Sequence, residues 1–385
     1  MTNFFYLCYA EHSFINQGAK KTYKKRAIFN SSNETKIAFL NIMRKRILTG
    51  DRPTGKLHLG HYMGSLLNRV KLQKEGMECF FIIADYQVLT DRLDTKDIEQ
   101  SIFELLLDYL SVGIDPRESV IFIQSRVPEI AELFVYLSML VTVSRAERNP
   151  TVKEEVKSAN LGKQMSVGML SYPISQAADI LLFRPDLVPV GEDQLPHLEQ
   201  TREIARTFNR VFGKVFPIPE AILSKTPRLL GLDGRQKMSK SRGNAIYLSD
   251  PTEVVTHKIK KAVTDSGKEI IFNPYNKPAI SNLLTIFSFC SGRSIKALEK
   301  TYQGEGYNKF KSDLIQVVND FLTPFRKKRK EFTANPEFLE KILREGTNKA
   351  REEGEKTMKL VRKAMKFHYP KIFGSAIPVK KVRHE

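Results

Sequence analysis

The chain has 385 residues, 41% of them hydrophobic, enough for one large domain or two ordinary ones with a real core. No apolar run approaches the roughly 18 to 20 residues that a membrane span needs, which points to a protein outside the bilayer. Lys and Arg number 62 against 43 Asp and Glu, and the resulting +19 favours a polyanionic partner, nucleic acid or an anionic membrane surface.

Residues 1 to about 42 show no sustained period and carry Lys20-Lys21 and Lys24-Lys25-Arg26, so they read as an appendage. A targeting peptide, a disordered tail, or upstream sequence ahead of a true start at Met43 would each explain them. From Arg46 the pattern alternates: Ile47-Leu48 is short and apolar, His61 to Lys74 is helical, and Cys79 to Ala84 is a strand. A helix from about Lys96 to Val112 puts Ile98, Ile102, Leu105, Tyr109 and Val112 on one face, and Ser119 to Ile123 is the next strand. The repeated alternation predicts an α/β Rossmann-type parallel doubly wound sheet over 43–236. After about Asp250 helices take over, as in Ile280 to Cys290, Lys309 to Leu322 and Pro336 to Leu343, so a C-terminal helical domain follows over 237–350, with a basic helix and tail over 351–385.

Cys8, Cys79 and Cys290 are far apart and lack a C-x-x-C partner, which speaks against a disulfide framework and a zinc site. Cys79 reads as a small core residue, and the set fits a reducing cytoplasm. The excess charge is concentrated at the C-terminal end, where residues 326 to 385 hold 18 Lys and Arg against 8 Asp and Glu. Phosphate contacts and a merely solvated helix face are both open readings of that run, which begins Arg326-Lys327-Lys328-Arg329-Lys330.

Three segments carry chemistry. The first, Gly50-Asp51-Arg52-Pro53-Thr54-Gly55-Lys56-Leu57-His58-Leu59-Gly60-His61, lies between the first strand and the first helix. Small residues and a helix N-terminus there suit a phosphate, and His58 and His61 add donors. Taken alone, two helix-start histidines with structural hydrogen bonds, or a metal pair, fit equally. The second, Lys237-Met238-Ser239-Lys240-Ser241, offers two ammonium groups and hydroxyls that could neutralise departing pyrophosphate, or it is a surface loop. The third sets an acid, Asp179, inside what reads as an apolar helix start in Tyr172-Pro173-Ile174-Ser175-Gln176-Ala177-Ala178-Asp179. Burial obliges that carboxylate to find a donor.

His58-Leu59-Gly60-His61 is similar to the first signature of class I aminoacyl-tRNA synthetases, and Lys237 to Ser241 is identical to the second. Both in order, at opposite ends of an α/β pattern, set shorter nucleotidyltransferases that share only the first element a distant second. The middle resembles the tryptophanyl-tRNA synthetases, through Asp179 and through Asp186-Leu187-Val188-Pro189-Val190-Gly191-Glu192-Asp193-Gln194 followed by His197-Leu198-Glu199-Gln200-Thr201-Arg202. The resemblance runs from about Met43 to Met365 and takes in Val263-Thr264-Asp265-Ser266 and Pro278 to Leu284. It departs at Gln87 and at Gln176, where family members commonly carry a histidine and a methionine.

That resemblance implies an enzyme that activates L-tryptophan with ATP and Mg²⁺ and transfers it to tRNA(Trp), probing the anticodon with its helical domain and working as a cytoplasmic homodimer. It implies His58, His61, Lys237 and Lys240 as catalytic. Arg52, Pro53, Thr54, Gly60, His61, Gly191, Glu192, Asp193, Leu229, Lys237, Met238, Ser239, Lys240 and Ser241 would bind ATP, the metal riding on the nucleotide with no protein cage. Asp179, Tyr172, Gln176, Val188, Val190, Gln194, Gln87 and Gly50 would bind tryptophan, with Asp179 accepting the indole N–H. A tyrosine-specific relative and a catalytically silent tRNA-binding homologue stand as alternatives with the same fold.

Overall fold

A computed structural model describes residues 44–90, 93–158, 164–223 and 229–374. The N-terminal appendage and Met43 lie outside them. Arg44 onward forms one compact unit.

Five parallel strands build the sheet: β1 Arg46–Asp51, β2 Glu78–Ile83, β3 Ser119–Ile123, β4 Leu187–Val190 and β5 Glu220–Leu223. Their order is β3-β2-β1-β4-β5. β2 is an interior strand, between β3 and β1, and reads as a continuous apolar run because both faces are covered. Alternate side chains go to opposite faces, so Cys79, Phe81 and Ile83 join one core while Phe80 and Ile82 join another.

The first helix, α1, passes through Leu59–His61, a π-turn at Tyr62–Leu66 and then Leu67–Lys74. α2 (Ile98–Val112) ends at Gly113, whose φ of +104° suits the left-handed closing residue. α3 (Pro128–Ser138) starts on a proline, and α4 (Val143–Glu147) and α5 (Pro150–Ser158) follow. α6 (Val167–Leu182) is capped by Ser166, whose hydroxyl accepts the Met169 amide at 3.0 Å, and α7 is Leu195–Phe212. Asp179 therefore sits in the last turn of α6, not at a helix start as the apolar run suggested, because the N-cap lies upstream at Ser166.

The helical part comprises α8 (Thr252–Lys261), α9 (Pro278–Ser291), α10 (Ile295–Thr301), α11 (Tyr307–Thr333) and α12 (Pro336–Ala364). α12 runs unbroken past residue 350 and serves both cores: Leu339, Ile342 and Leu343 pack on one face of the sheet, Ala350, Met358 and Val361 on the other. It crosses the β3 edge at Gly346, where a Cβ would stand 2.0 Å from the Ile121 carbonyl oxygen. Thr347 Oγ1 accepts the Ile123 amide at 3.3 Å, so the helix also occupies a donor of the edge strand. Ion pairs from Arg46 to Glu353 at 3.2 Å and from Arg362 to Glu132 at 2.5 Å fasten it to the sheet side.

Among the described residues no helix is long and apolar enough to cross a membrane. Cys79 is buried at 1% exposure, and Cys79 and Cys290 are free thiols.

Candidate active site

The chain moves outward from β1 to β2 and β3, then crosses back to β4 on the other side of β1. Strands β1 and β4 thus mark a topological switch point, and the crevice beyond their carboxyl ends is where open α/β sheets bind ligands. Gly50 is the next-to-last residue of β1, and Val190 the last of β4. A Cβ on Gly50 would lie 2.0 Å from the Ile82 carbonyl oxygen, so backbone packing alone requires glycine there.

His58 is the N-cap of α1, and its backbone N–H donates to His61 Nδ1 at 3.2 Å. The acceptor role of Nδ1 leaves the His61 ring proton on Nε2, free to donate. The two rings stand 3.7 Å apart. Burial, then the neighbouring His61, Lys240 and Lys237, push His58 down to about 2. Burial also lowers His61, to about 4, against the opposing pull of Asp51. Both are neutral at physiological pH. His58 Nδ1 is buried without a hydrogen-bond partner among the described residues. Gly60 gives room first to this ring, since a Cβ there would meet His58 Nδ1 at 3.1 Å.

The second segment reaches the first through a short antiparallel bridge. Leu59 N donates to Ile246 O at 2.9 Å and Leu248 N to Leu57 O at 3.0 Å, which pins the chain after Ser241 alongside the start of α1. Lys240 Nζ then donates to Thr54 Oγ1 at 3.0 Å and to the Gly55 carbonyl at 2.7 Å. Lys237 is exposed, Met238 is buried at 1%, and Ser239 donates its amide to Asn244 Oδ1 at 2.9 Å. The Leu229 carbonyl accepts the Met238 amide at 3.2 Å, so that backbone closes the loop's base. Pro53 is buried, Arg52 is exposed and donates to Thr90 Oγ1 at 3.2 Å, and the Ser241 side chain lies outside the described residues.

Asp179 is 5% exposed. Gln124 Nε2 donates to its Oδ1 at 2.7 Å, and Gln87 hydrogen-bonds it as well. Burial drives the carboxyl up to about 7 against the pull of these two donors, with Asp85 adding to the rise. Gln87 also donates to Ser175 Oγ at 3.0 Å, which fixes its amide. Tyr172 stands two turns earlier on α6, its hydroxyl 3.0 Å from His197 Nε2. Val188 is buried, whereas Val190, Gln176 and Gln194 are half-buried and Gly191, Glu192 and Asp193 are exposed. A Cβ on Gly191 would meet the tip of the exposed Asp193 side chain, Oδ1 at 2.7 Å, which can turn aside.

Residues 43–323 match the family model described as tRNA synthetases class I (W and Y). A tryptophan–tRNA ligase of Clostridium longisporum is 46% identical over 331 residues, 84% of this chain and 97% of the relative. The chain belongs to the tryptophanyl-tRNA synthetase family. A second relative, the tryptophan–tRNA ligase of Treponema pallidum, is 44% identical over 83% of this chain and 96% of its own. Among solved structures, a Campylobacter jejuni tryptophanyl-tRNA synthetase complexed with ADP and tryptophan superposes with a TM-score of 0.72 at 35% identity, covering 83% of this chain and 99% of that one. The Mycoplasma pneumoniae synthetase superposes with a TM-score of 0.73 at 30% identity, over 84% and 98%.

Several supports of this synthetase fold's crevice carry no signal in the motifs. Asp51 accepts Arg69 Nη1 at 2.7 Å and Tyr109 OH at 2.6 Å, and Arg69 also donates to the Gly50 carbonyl at 3.2 Å. Burial, the largest single influence, would raise Asp51, but Arg69, His61 and the Tyr109 hydroxyl together outweigh it and the carboxyl falls to about 2. Gln124, the second-row partner of Asp179, directly follows β3 at its carboxyl end, a position that the switch-point rule could have flagged. Asn244 and Asn282 brace the second signature, with Asn244 Nδ2 2.7 Å from Asp233 Oδ2 and Asn282 Oδ1 accepting the Leu230 amide at 3.0 Å. The basic run divides: Lys327, Lys328 and Lys330 are exposed, while Arg329 is spent on Asp108 at 2.5 Å and on Glu104. Neither open reading of that run, phosphate contact or a solvated face, holds at Arg329, which meets carboxylates.

Proposed function

We propose that the chain catalyses ATP-dependent activation of L-tryptophan and its transfer to tRNA(Trp). The observation that carries the reading is the seat of Lys240 on Thr54 and Gly55, which joins the two signature segments over the crevice. The tryptophan carboxylate attacks the ATP α-phosphorus in line, and since it is ionised at neutral pH no general base is needed. His61 with its Nε2 proton and the neutral His58 donate to the phosphates together with Arg52. Lys237, Lys240, Ser239 and Ser241 balance charge on departing pyrophosphate. Pro53, Thr54, Gly60, Met238, Leu229, Gly191, Glu192 and Asp193 shape the nucleotide site.

Asp179 accepts the indole N–H at the closed end of the amino-acid pocket, between Val188, Val190, Tyr172 and Gln87, while Gln176, Gln194 and Gly50 border the amino group. A site built around such an acceptor rejects ligands lacking the donor by up to about 10⁴ to 10⁵. The described residues contain no group of three or more His, Cys, Asp or Glu that could hold a metal, and Mg²⁺ is assigned to the ATP phosphates. The helical part carries the tRNA anticodon, and the enzyme acts in the cytoplasm as a homodimer. Val135, Met139 and Val143 are exposed apolar residues available to that contact, and sedimentation at varied concentration tests it.

ATP–pyrophosphate exchange measured with tryptophan and with tyrosine tests the reading. Tryptophan-only exchange that Lys240→Ala slows at least tenfold supports it; tyrosine preference, or exchange indifferent to Lys240, would overturn it.

A further inference from the structure

A pocket of about 440 Å³ opens between the first signature's flank and α11, lined chiefly by Lys56, Ser249, Arg326, Arg329, Lys330 and Thr333. Among the described residues no carboxylate belongs to its wall. Lys56 immediately precedes the Leu57–His61 segment, and Ser249 lies on the strip that follows the second signature and pairs with the first. Both signature flanks therefore meet the helical part here.

The charges in this wall are unequally satisfied. Arg329 is neutralised by Asp108 and Glu104, whereas Lys56, Arg326 and Lys330 form no ion pair among the described residues. Asp250 and Glu253 attract Arg326 only at longer range, and Asp250 already holds Lys258 at 2.6 Å. Arg326 gives its two terminal nitrogens to neutral acceptors, Thr252 Oγ1 at 3.1 Å and Asn319 Oδ1 at 2.8 Å. Among the described residues its Nε has no hydrogen-bond partner, and neither does the Ser249 hydroxyl, both being buried. Two buried donors on residues that line this basic pocket leave a demand for an acceptor with several oxygens and negative charge, which they reach when the side chains turn outward.

We infer that this pocket binds a phosphate group of the tRNA backbone, taken up by Arg326 Nε, Ser249 Oγ and the ammonium groups of Lys56 and Lys330. The inference rests on the tRNA-ligase reading above and deepens it by assigning a contact. Inorganic phosphate shares the anionic oxygens of a backbone phosphodiester, and the experiment separates the two sources.

The test is aminoacylation by the full chain between 50 and 200 mM salt, comparing wild type with the double variant Arg326→Gln/Lys330→Gln. A control of equal charge loss, Lys327→Gln/Lys359→Gln, lies on exposed positions outside the pocket. The expected result is a tRNA KM raised about fivefold or more at low salt. The slope of log KM against log salt should shrink by roughly 0.7 to 0.9, the loss of one phosphate contact. Tryptophan-dependent exchange stays at the wild-type rate. Lys330→Gln alone, at an exposed site, should move the KM in the same direction if the double variant fails to fold.

An unchanged tRNA KM, or an equal rise in the control, would overturn the inference in favour of a diffuse basic field. Saturable binding of inorganic phosphate, followed by ³¹P NMR and lost in the double variant while the tRNA KM stays put, would assign the pocket to a small anion and overturn the RNA contact. Absence of tryptophan-dependent exchange in the wild type would instead sink the ligase reading itself.

Discussion

Asp108 on α2 joins two distant parts of the chain: its Oδ2 accepts the Leu57 amide at 2.6 Å, and its Oδ1 accepts Arg329 Nη1 at 2.5 Å. The carboxylate is 1% exposed, and burial lifts it to about 6 despite Arg329 and the Leu57 amide. It positions the first signature against α11 without reaching the crevice. Asp108→Ala leaves the buried Leu57 amide without its acceptor and Arg329 with Glu104 as its remaining carboxylate, at a cost of about 1 to 3 kcal/mol. The KM for ATP should rise at least tenfold while tryptophan affinity holds, and Asp108→Asn, which keeps an oxygen for Leu57, should recover part of the loss. Steady-state exchange kinetics decide it, and a uniform fall in kcat with both KM values unchanged would contradict the positioning role.

Tryptophan affinity should depend on pH through Asp179. The ionised carboxylate is the better acceptor for an indole N–H, and with the group near 7 its ionised form dominates above pH 7 and is lost as pH falls through that value. The dissociation constant should therefore weaken roughly tenfold from pH 8 to pH 6. His58 near 2 and His61 near 4 do not titrate in this window. The chain contains no Trp, so ligand fluorescence reports binding directly. Asp179→Asn should flatten the profile; a slope that persists in this variant would place the titrating group elsewhere.

Asn244 holds the second signature in shape by accepting the Ser239 amide at 2.9 Å and donating to Asp233 at 2.7 Å. Gly231 packs against it so closely that a Cβ would stand 2.0 Å from Nδ2. Asn244→Ala should slow adenylate formation by about tenfold, equivalent to about 1.4 kcal/mol of transition-state stabilisation, with tryptophan affinity unchanged. Single-turnover kinetics and fluorescence titration separate the two quantities, and equal losses in both would mean that the loop does more than chemistry.

Gly346→Ala should lower thermal stability without altering the chemistry. The added methyl collides with the Ile121 carbonyl, and α12 must lift from the β3 edge, which costs about 1 to 3 kcal/mol or more. Thermal unfolding should show a lower midpoint, while exchange measured well below it matches wild type. An unchanged midpoint would mean that the helix crosses the edge less tightly than its backbone contact requires.

Period and motif settled a good deal before any contact was known. The alternation from Ile47 to Ile123 predicts parallel strands because apolar runs such as Cys79 to Ile83 must be covered on both faces. The lysine-serine string and the paired histidines are local in sequence and so are legible there, as is the need of a buried Asp179 for donors. What could not be read was which distant groups answer those needs. Gln124 reaches Asp179 across 55 residues, Arg69 reaches Asp51 across 18, and Arg329 reaches Asp108 across 221. Sequence spacing carries no record of such pairs, since each arises from the sheet order and from the path of α11. The α12 crossing at Gly346 likewise has no local signature, for a helical glycine looks the same whether it meets solvent or a strand carbonyl. Local patterning therefore determined the elements and the reactive groups, and packing decided their partners, because burial creates a demand for charge and hydrogen bonds that only the folded chain can meet.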